Sequence, residues 1–184
     1  MIAENITRVE GPNLTLRLIR PEDAAYVHAL RTDPAYNLHL SAVNGTAEDQ
    51  RRWIEGYKAR EADLRELYYV IERKDETRCG LVRLYDITDD SFTWGSWILD
   101  HNKTRKAALE SAVLVYIAAF ERLGLPKAQF DVRRDNANTL AFHRRFGATE
   151  THMTNQDIYF TYPRDRFEAD RAGYLMILEG ERQG

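Results

Sequence analysis

The sequence predicts an α/β (α+β) fold in a single domain, built on a mostly antiparallel sheet with helices packed against it. Three observations predict it. Residues 67–99 read as three consecutive strands joined by polar turns; apolar residues recur at helical spacing over 104–123; and the elements follow one another as βαα, βββ, αβα, β without repeat or linker. At 184 residues the chain fits one domain spanning 1–184, with a core over about 14–162 and a C-terminal helical extension over 164–178.

Each element has its own signal. Over 14–20, Leu14, Leu16 and Leu18 alternate with Thr15 and Arg17, the period of a half-buried strand, and Pro21 stops it. Pro21, Glu22 and Asp23 then form a helix start, followed by Ala24, Val27, Leu30 and Arg31 at helical spacing; Asp33-Pro34 ends that helix. Residues 35–45 are too polar for core and read as a loop. A second helix starts at Thr46, with Glu48 and Asp49 in its first turn and Trp53, Ile54, Tyr57 and Leu64 on one face. The strands follow at 67–72, 79–87 and 91–99, an antiparallel meander. The long helix over 104–123 stops at Gly124. A short strand at 128–132, a helix at 135–146 broken by Gly147, a strand at 158–162 after an exposed link and a charged terminal helix complete the order. That last helix, with Phe167 and Tyr174, either covers a sheet edge or joins a second copy as a homodimer.

Composition excludes several classes. The chain is 43% apolar and 30% charged, the balance of an ordinary globular domain rather than a disordered one. No apolar run approaches the roughly 20 residues that cross a bilayer, so no membrane span is expected. The first residues lack the pattern of a signal peptide. The single cysteine, Cys79, rules out an internal disulfide and a cysteine-based metal site, which fits a reducing, cytoplasmic setting. A net charge of −3 without a basic block argues against nucleic acid. What composition leaves over is an aromatic load of 10 Tyr, 7 Phe and 3 Trp, which calls for an aromatic core, an aromatic pocket or both.

A strand carrying Trp94-Gly95-Ser96-Trp97-Ile98, then a long helix, a strand, and Asn136-x-x-Thr139 opening a helix that ends Arg145-Phe146-Gly147 form a specific combination. Here the chain resembles the GNAT N-acetyltransferase superfamily, within it the branch of ribosomal-protein-alanine and amino-sugar acetyltransferases, over about 14–162. The resemblance implies a mixed, mostly antiparallel central sheet of about six to seven strands, helices on both faces, and a V-shaped splay between strands four and five that holds acetyl-CoA. It places the pantetheine arm along Trp97, Ile98 and Leu99 and the pyrophosphate on Lys103, Thr104, Arg105, Lys106, Ala107 and Ala108, with Asn136 and Thr139 beside the arm. A helix N-terminus suits an anion, because its first amides are unpaired at the positive end of the dipole. In that loop Lys106 stands where the family carries its central glycine, and the added Cβ narrows the approach of phosphate or forces a different turn.

The chemistry-bearing residues divide into expectations. Gly95 marks either a strand bulge or a tight contact with a neighbour, and the resemblance favours the bulge. His143 aligns with the family's proton-donating tyrosine; an imidazole with an ordinary pKa donates near pH 7, although a lone histidine on a helix is more often structural. The family's strand-four glutamate is absent, since Thr93 and Trp94 occupy that stretch. Asp131, Asp86 and His39 are the acidic and basic candidates for taking the proton of the acceptor amine, with ordered water as the alternative. His39, Trp53, Tyr68 and Trp94 are expected to wall an acceptor site suited to a flat, partly apolar molecule. No metal is expected. The implied activity is acyl-CoA-dependent N-acyltransfer to a primary amine of a small molecule such as a nucleotide-linked amino sugar. It proceeds by direct attack, with the oxyanion held by a backbone N–H near the bulge. The alternatives are N-terminal acetylation of a protein and a non-catalytic acyl-CoA-binding role.

Overall fold

The computed structural model of the protein describes residues 2–182. A short turn of helix α1 (Glu4–Thr7) leads into β1 (Arg8–Glu10) and β2 (Leu14–Leu18). A single 3-10 turn, Pro21–Asp23, introduces α2 (Ala24–Thr32), which is followed by α3 (Ala47–Ala62). The meander is β3 (Leu67–Arg73), β4 (Arg78–Tyr85) and β5 (Thr93–Leu99). Then come α4 (Ala107–Tyr116), β6 (Lys127–Arg133), α5 (Ala137–Phe146), β7 (Thr149–Met153), β8 (Asp157–Pro163) and α6 (Arg164–Arg182).

The strands form two sheets rather than one. β1 to β5 make an antiparallel sheet in sequence order, and β6, β8 and β7 make a second antiparallel sheet with β8 in the middle. The two touch through one parallel bridge, Phe92 with Ala128, where the Phe92 amide donates to Lys127 O and the Gln129 amide to Phe92 O. Beyond that bridge β5 and β6 part, so β5 has a free outer edge among the described residues. The five-stranded sheet buries both faces. One packs on α2 and α3 through Val27, Leu30, Ile54, Tyr57, Tyr68 and Ile98; the other packs on α4, α5 and α6.

Several boundaries differ from those expected, each for a physical reason. β1 lies outside the expected core because its three residues carry too little pattern to be seen. β7 lies in the expected exposed link, and all five of its residues are exposed, so no alternation betrays it. The helix expected from 104 begins at Ala107, because residues 100–103 are tied into a turn: Asp100 Oδ1 accepts from the Asn102 amide at 2.8 Å and Asp100 O from the Lys103 amide at 3.0 Å. Past Tyr116 the same helix widens into a π segment, Ile117–Arg122, closed by the Leu123 amide on Ala118 O. The wider turn seats Tyr116 and Phe120, stacked at 5.1 Å, against Phe167 of α6. α6 therefore covers this chain's own core: Phe167 and Leu178 are fully buried and Tyr174 donates to Phe146 O.

Caps and close approaches follow the sequence. Thr46 and Asp49 form a reciprocal capping box on α3. Gly147, at φ 107, ends α5 in the left-handed conformation, with its own amide and that of Ala148 on His143 O. At Gly80 a Cβ would come within 2.2 Å of Ile98 O, so β4 and β5 approach too closely for a side chain there. No helix of the described residues is long and apolar enough to cross a membrane.

One buried carboxylate ties the layers together. Glu110 of α4 is 1% exposed and accepts from the Leu14 amide at 2.6 Å, the Asn13 amide at 2.8 Å and Asn13 Nδ2 at 3.0 Å. It thereby satisfies the start of β2 from the opposite layer. Glu110→Ala strands those donors and is expected to lower the free energy of unfolding by about 2–4 kcal/mol. A urea titration checks this, with the same change at exposed Glu168 staying within about 0.5 kcal/mol.

Candidate functional site

The gap that opens where β5 leaves β6 is a cleft of about 520 Å³. Its walls come from β5 (Trp94, Gly95, Ser96, Trp97), β6 (Phe130, Asp131, Arg133), α5 (Asn136, Thr139, His143) and the 35–41 loop with Tyr36 and His39.

A bulge shapes the β5 wall. Arg83 pairs with Gly95 and Leu81 with Ile98, so Val82 is opposed by both Ser96 and Trp97. The expected bulge is present, but its left-handed residue is Ser96, at φ 47, one position beyond the glycine. At Gly95 a Cβ would meet nothing closer than Tyr85 Oη at 3.4 Å, so the tight-contact reading does not hold. The bulge has a consequence for the tryptophans. Three residues apart on a regular strand, Trp94 and Trp97 would face opposite ways; the extra residue returns Trp97 to the side of Trp94, and their rings lie 5.1 Å apart. Each indole is anchored, Trp94 Nε1 on Tyr116 Oη and Trp97 Nε1 on Ser111 Oγ, both at 3.1 Å.

His143 sits in the floor of this aromatic wedge, 4% exposed, with Phe130 at 4.4 Å, Trp94 at 5.3 Å and Phe142 at 5.5 Å between ring centroids. Desolvation alone pulls its pKa down to about 3. The expected imidazolium donor is thus corrected: His143 lines the cleft as a neutral imidazole at pH 7. Asp131, next to Phe130 on β6 and also lining the cleft, moves the other way. Partial burial and the charge of Asp157 raise its pKa above the ordinary carboxylate value. Tyr85, whose pKa burial and Asp131 raise, also lines the cleft and keeps its proton. Cys79 is fully buried, and burial pushes its thiol up to about 12, which removes it as a nucleophile.

The positions expected to hold acyl-CoA fall into place unevenly. Trp97, Asn136 and Thr139 line the cleft. The Ile98 side chain is buried in the opposite core cluster and Leu99 packs against the other, so only their backbones are available on the free edge of β5. Asn136 caps α5 by accepting from the Thr139 amide. Ahead of α4, the amides of Thr104, Arg105 and Lys106 have no acceptor among the described residues, and the side chains of Lys103, Arg105 and Lys106 make no ion pair there. The Thr104 hydroxyl is buried without a partner. Ala107 is buried and Ala108 starts the helix. Lys106 adopts φ −108 and ψ 30, a conformation open to any residue, so this turn does not require the missing glycine. Unpaired amides, a dipole end and three free cations together suit a diphosphate.

Of the four acceptor-wall candidates, His39 and Trp94 line the cleft; His39 Nδ1 lies 3.4 Å from Asp135 Oδ1 at its mouth. Tyr68 does not: it is fully buried in the core beneath α3, where its amide donates to Tyr57 Oη. Trp53 lines a neighbouring cavity instead, stacked on Tyr57. Asp86 lines a separate groove between β5, β6 and β8. Two cleft residues escaped sequence reasoning. Tyr85 was hidden because it ends β4 as one more strand aromatic, and Ser96 because serine carries no signal for a left-handed conformation.

Among known proteins, the model of the acetyltransferase (GNAT) domain matches residues 13–149. The SPbeta prophage-derived uncharacterized N-acetyltransferase YokL of Bacillus subtilis (strain 168) is 23% identical over 144 residues, 77% of this chain and 79% of that protein. Apo FdhC, described as a nucleotide-linked sugar GNAT, is 36% identical, with a TM-score of 0.86 over 93% of this chain and 98% of its own. Spermidine N-acetyltransferase from Vibrio cholerae, solved with CoA and spermine, shares the fold at 19% identity, with a TM-score of 0.72 over 84% and 98%.

The burial of His143 has a readable consequence. The unfolded chain takes up a proton on this residue near pH 6.5 and the folded one only near pH 3. Stability is therefore complete above about pH 6.5 and falls as the pH drops toward 3. The His143 ring resonances are expected to stay constant from pH 8 to pH 5, and in His143→Phe the loss of stability between pH 7 and pH 5 is expected to shrink; NMR and urea titrations at the two pH values measure both.

Proposed function

The chain belongs to the GNAT acetyltransferase family, and from that premise we propose that it transfers an acetyl group from acetyl-CoA to the primary amine of a nucleotide-linked amino sugar. The observation that carries the proposal is the cleft itself: a free strand edge and an aromatic wedge meet where β5 and β6 part, and the chain runs on from β5 into the cation-rich start of α4. The likeness to a nucleotide-linked sugar GNAT at 36% identity supports the choice of acceptor. A cytoplasmic setting suits the one free thiol.

When bound, acetyl-CoA supplies an acyl thioester, whose carbonyl carbon the amine attacks. The protein's own groups divide the remaining work. The amides of residues 104–106, with Lys103, Arg105 and Lys106, hold the pyrophosphate, and the outer edge of β5 from the bulge onward pairs with the amide-bearing arm. A backbone N–H at the bulge faces the charge that develops on the acyl oxygen. Asp131 takes the proton that the acceptor ammonium must lose before attack, a task for which its raised pKa is better matched than an ordinary carboxylate's. The neutral His143 imidazole offers a hydrogen bond to the departing sulfur, and the proton that the nitrogen sheds as the amide forms passes through water to the thiolate. The dry walls of Trp94, Trp97 and Phe130 keep water from competing with the amine.

The test follows free thiol while acetyl-CoA is mixed with nucleotide-linked amino sugars, free amino sugars, spermidine and short peptides. Thiol release is expected from the nucleotide-linked amino sugars; release from peptides alone would make the chain a protein acetyltransferase, and tight CoA binding with no release from any amine would make it a binding protein. Asp131→Asn is expected to lower kcat by about 10²-fold near pH 7 with the KM for acetyl-CoA unchanged, and the deficit should shrink at higher pH, where the amine arrives unprotonated.

A further inference from the structure

A second cavity, of about 360 Å³, lies beside the cleft and shares Ser41 with it. Arg31, Gln50, Trp53 and Arg83 line it, and it contains an unusual concentration of polar atoms left without partners. Arg31 Nε and Arg83 Nε are both buried with no acceptor; Tyr68, a fully buried ring packed edge-on against Trp53 at 5.9 Å, backs this wall with its hydroxyl toward Arg31. The remaining bonds of the arginines are local. Arg31 Nη2 donates to the Ser41 carbonyl and hydroxyl, and Arg83 Nη2 donates to Glu66 Oε1 at 2.7 Å. The carboxylates nearby are already engaged: Glu66 is shared with Arg60, and Asp49 serves the Thr46 cap and Arg52. Arg31 has no carboxylate partner among the described residues.

Buried donors without acceptors are costly, and they cluster here on one wall. An acceptor-only group with several oxygens, a phosphate or diphosphate, serves both guanidiniums at once and suits the planar fork of arginine. Arg83 also lies 4.7 Å over the ring of Tyr85, a cleft residue, so a ligand held by Arg83 reaches directly toward the reacting centre. Trp53, 36% exposed, offers a flat apolar surface at the rim. From this juxtaposition we infer that the cavity is the anchoring subsite for the acceptor: Arg31 and Arg83 bind its diphosphate, Trp53 flanks its nucleoside, and its amino sugar extends past Ser41 into the cleft. The inference rests on the acceptor reading above and locates its specificity on α2, α3 and β4 rather than on the catalytic strands.

Calorimetry on the full chain saturated with CoA, so that the helix-start site is filled, tests the subsite without any turnover. The probes are uridine diphosphate, thymidine diphosphate and inorganic pyrophosphate. Nucleoside diphosphate is expected to bind, and to weaken by about ten- to hundredfold in Arg31→Met and Arg83→Met. Arg31→Lys, which keeps the charge but not the planar fork, should restore part of the loss. Pyrophosphate binding as tightly as the nucleoside diphosphates would limit the site to free diphosphate and overturn the anchoring of a nucleotide. Absence of binding at millimolar concentration, or equal binding by all the variants, would overturn the subsite even if amino sugars are acetylated. Arginine-dependent binding without acetylation of any amino sugar would instead overturn the acceptor reading and leave the diphosphate site standing.

Discussion

Everything functional in this molecule depends on two strands being prevented from pairing. Among the described residues β5 and β6 are joined by the Phe92–Ala128 bridge and pair nowhere beyond it. Backbone groups left unpaired in this way are normally costly, so something must hold the strands apart. The wedge does so: Trp94, Trp97, Phe130, His143 and Phe160 pack ring against ring in the space a continuous sheet would close. The bulge at Ser96 brings the second tryptophan onto the wedge side, and its left-handed residue is a strain that the packing sustains. The free strand edge is thus a product of the core.

The same packing sets the chemistry of each titratable group. Inside the wedge a histidine loses its charge, and behind the sheet a cysteine loses its reactivity, both through burial. At the rim, where water reaches, desolvation and the neighbouring Asp157 carboxylate raise the pKa of Asp131. Positive charge is kept outside, on the turn before α4. The site therefore grades from a dry, neutral floor to a charged mouth, an order suited to a reaction between a neutral amine and a thioester carried by a polyanion.

Much of the fold was legible in the residues. The meander, the helix after Thr46 with its capping box, the α5 helix between Asn136 and Gly147 and the bulge near Gly95 all carry local chemical signals. What was not legible was whatever depends on partners distant in sequence. The two segments at sheet edges, the very short β1 and the all-exposed β7, give no period. Tyr68 looked like a pocket residue because alternation cannot say which face of a doubly covered sheet is open. Glu110 reads as one more surface acid on a helix until β2 is placed beneath it. His143 could be found by alignment to a family position, but its charge state is decided by five aromatic rings from β5, β6, β8 and α5, and no motif encodes that.

The central claim is that the parted edge of β5, together with the turn before α4, receives acetyl-CoA. Amide hydrogen exchange with and without saturating acetyl-CoA tests it most directly. The account predicts slowed exchange at residues 96–99 and 104–106, with the β3–β4 pairing unchanged. Slowed exchange confined to other segments, with residues 96–99 exchanging as before, would contradict it.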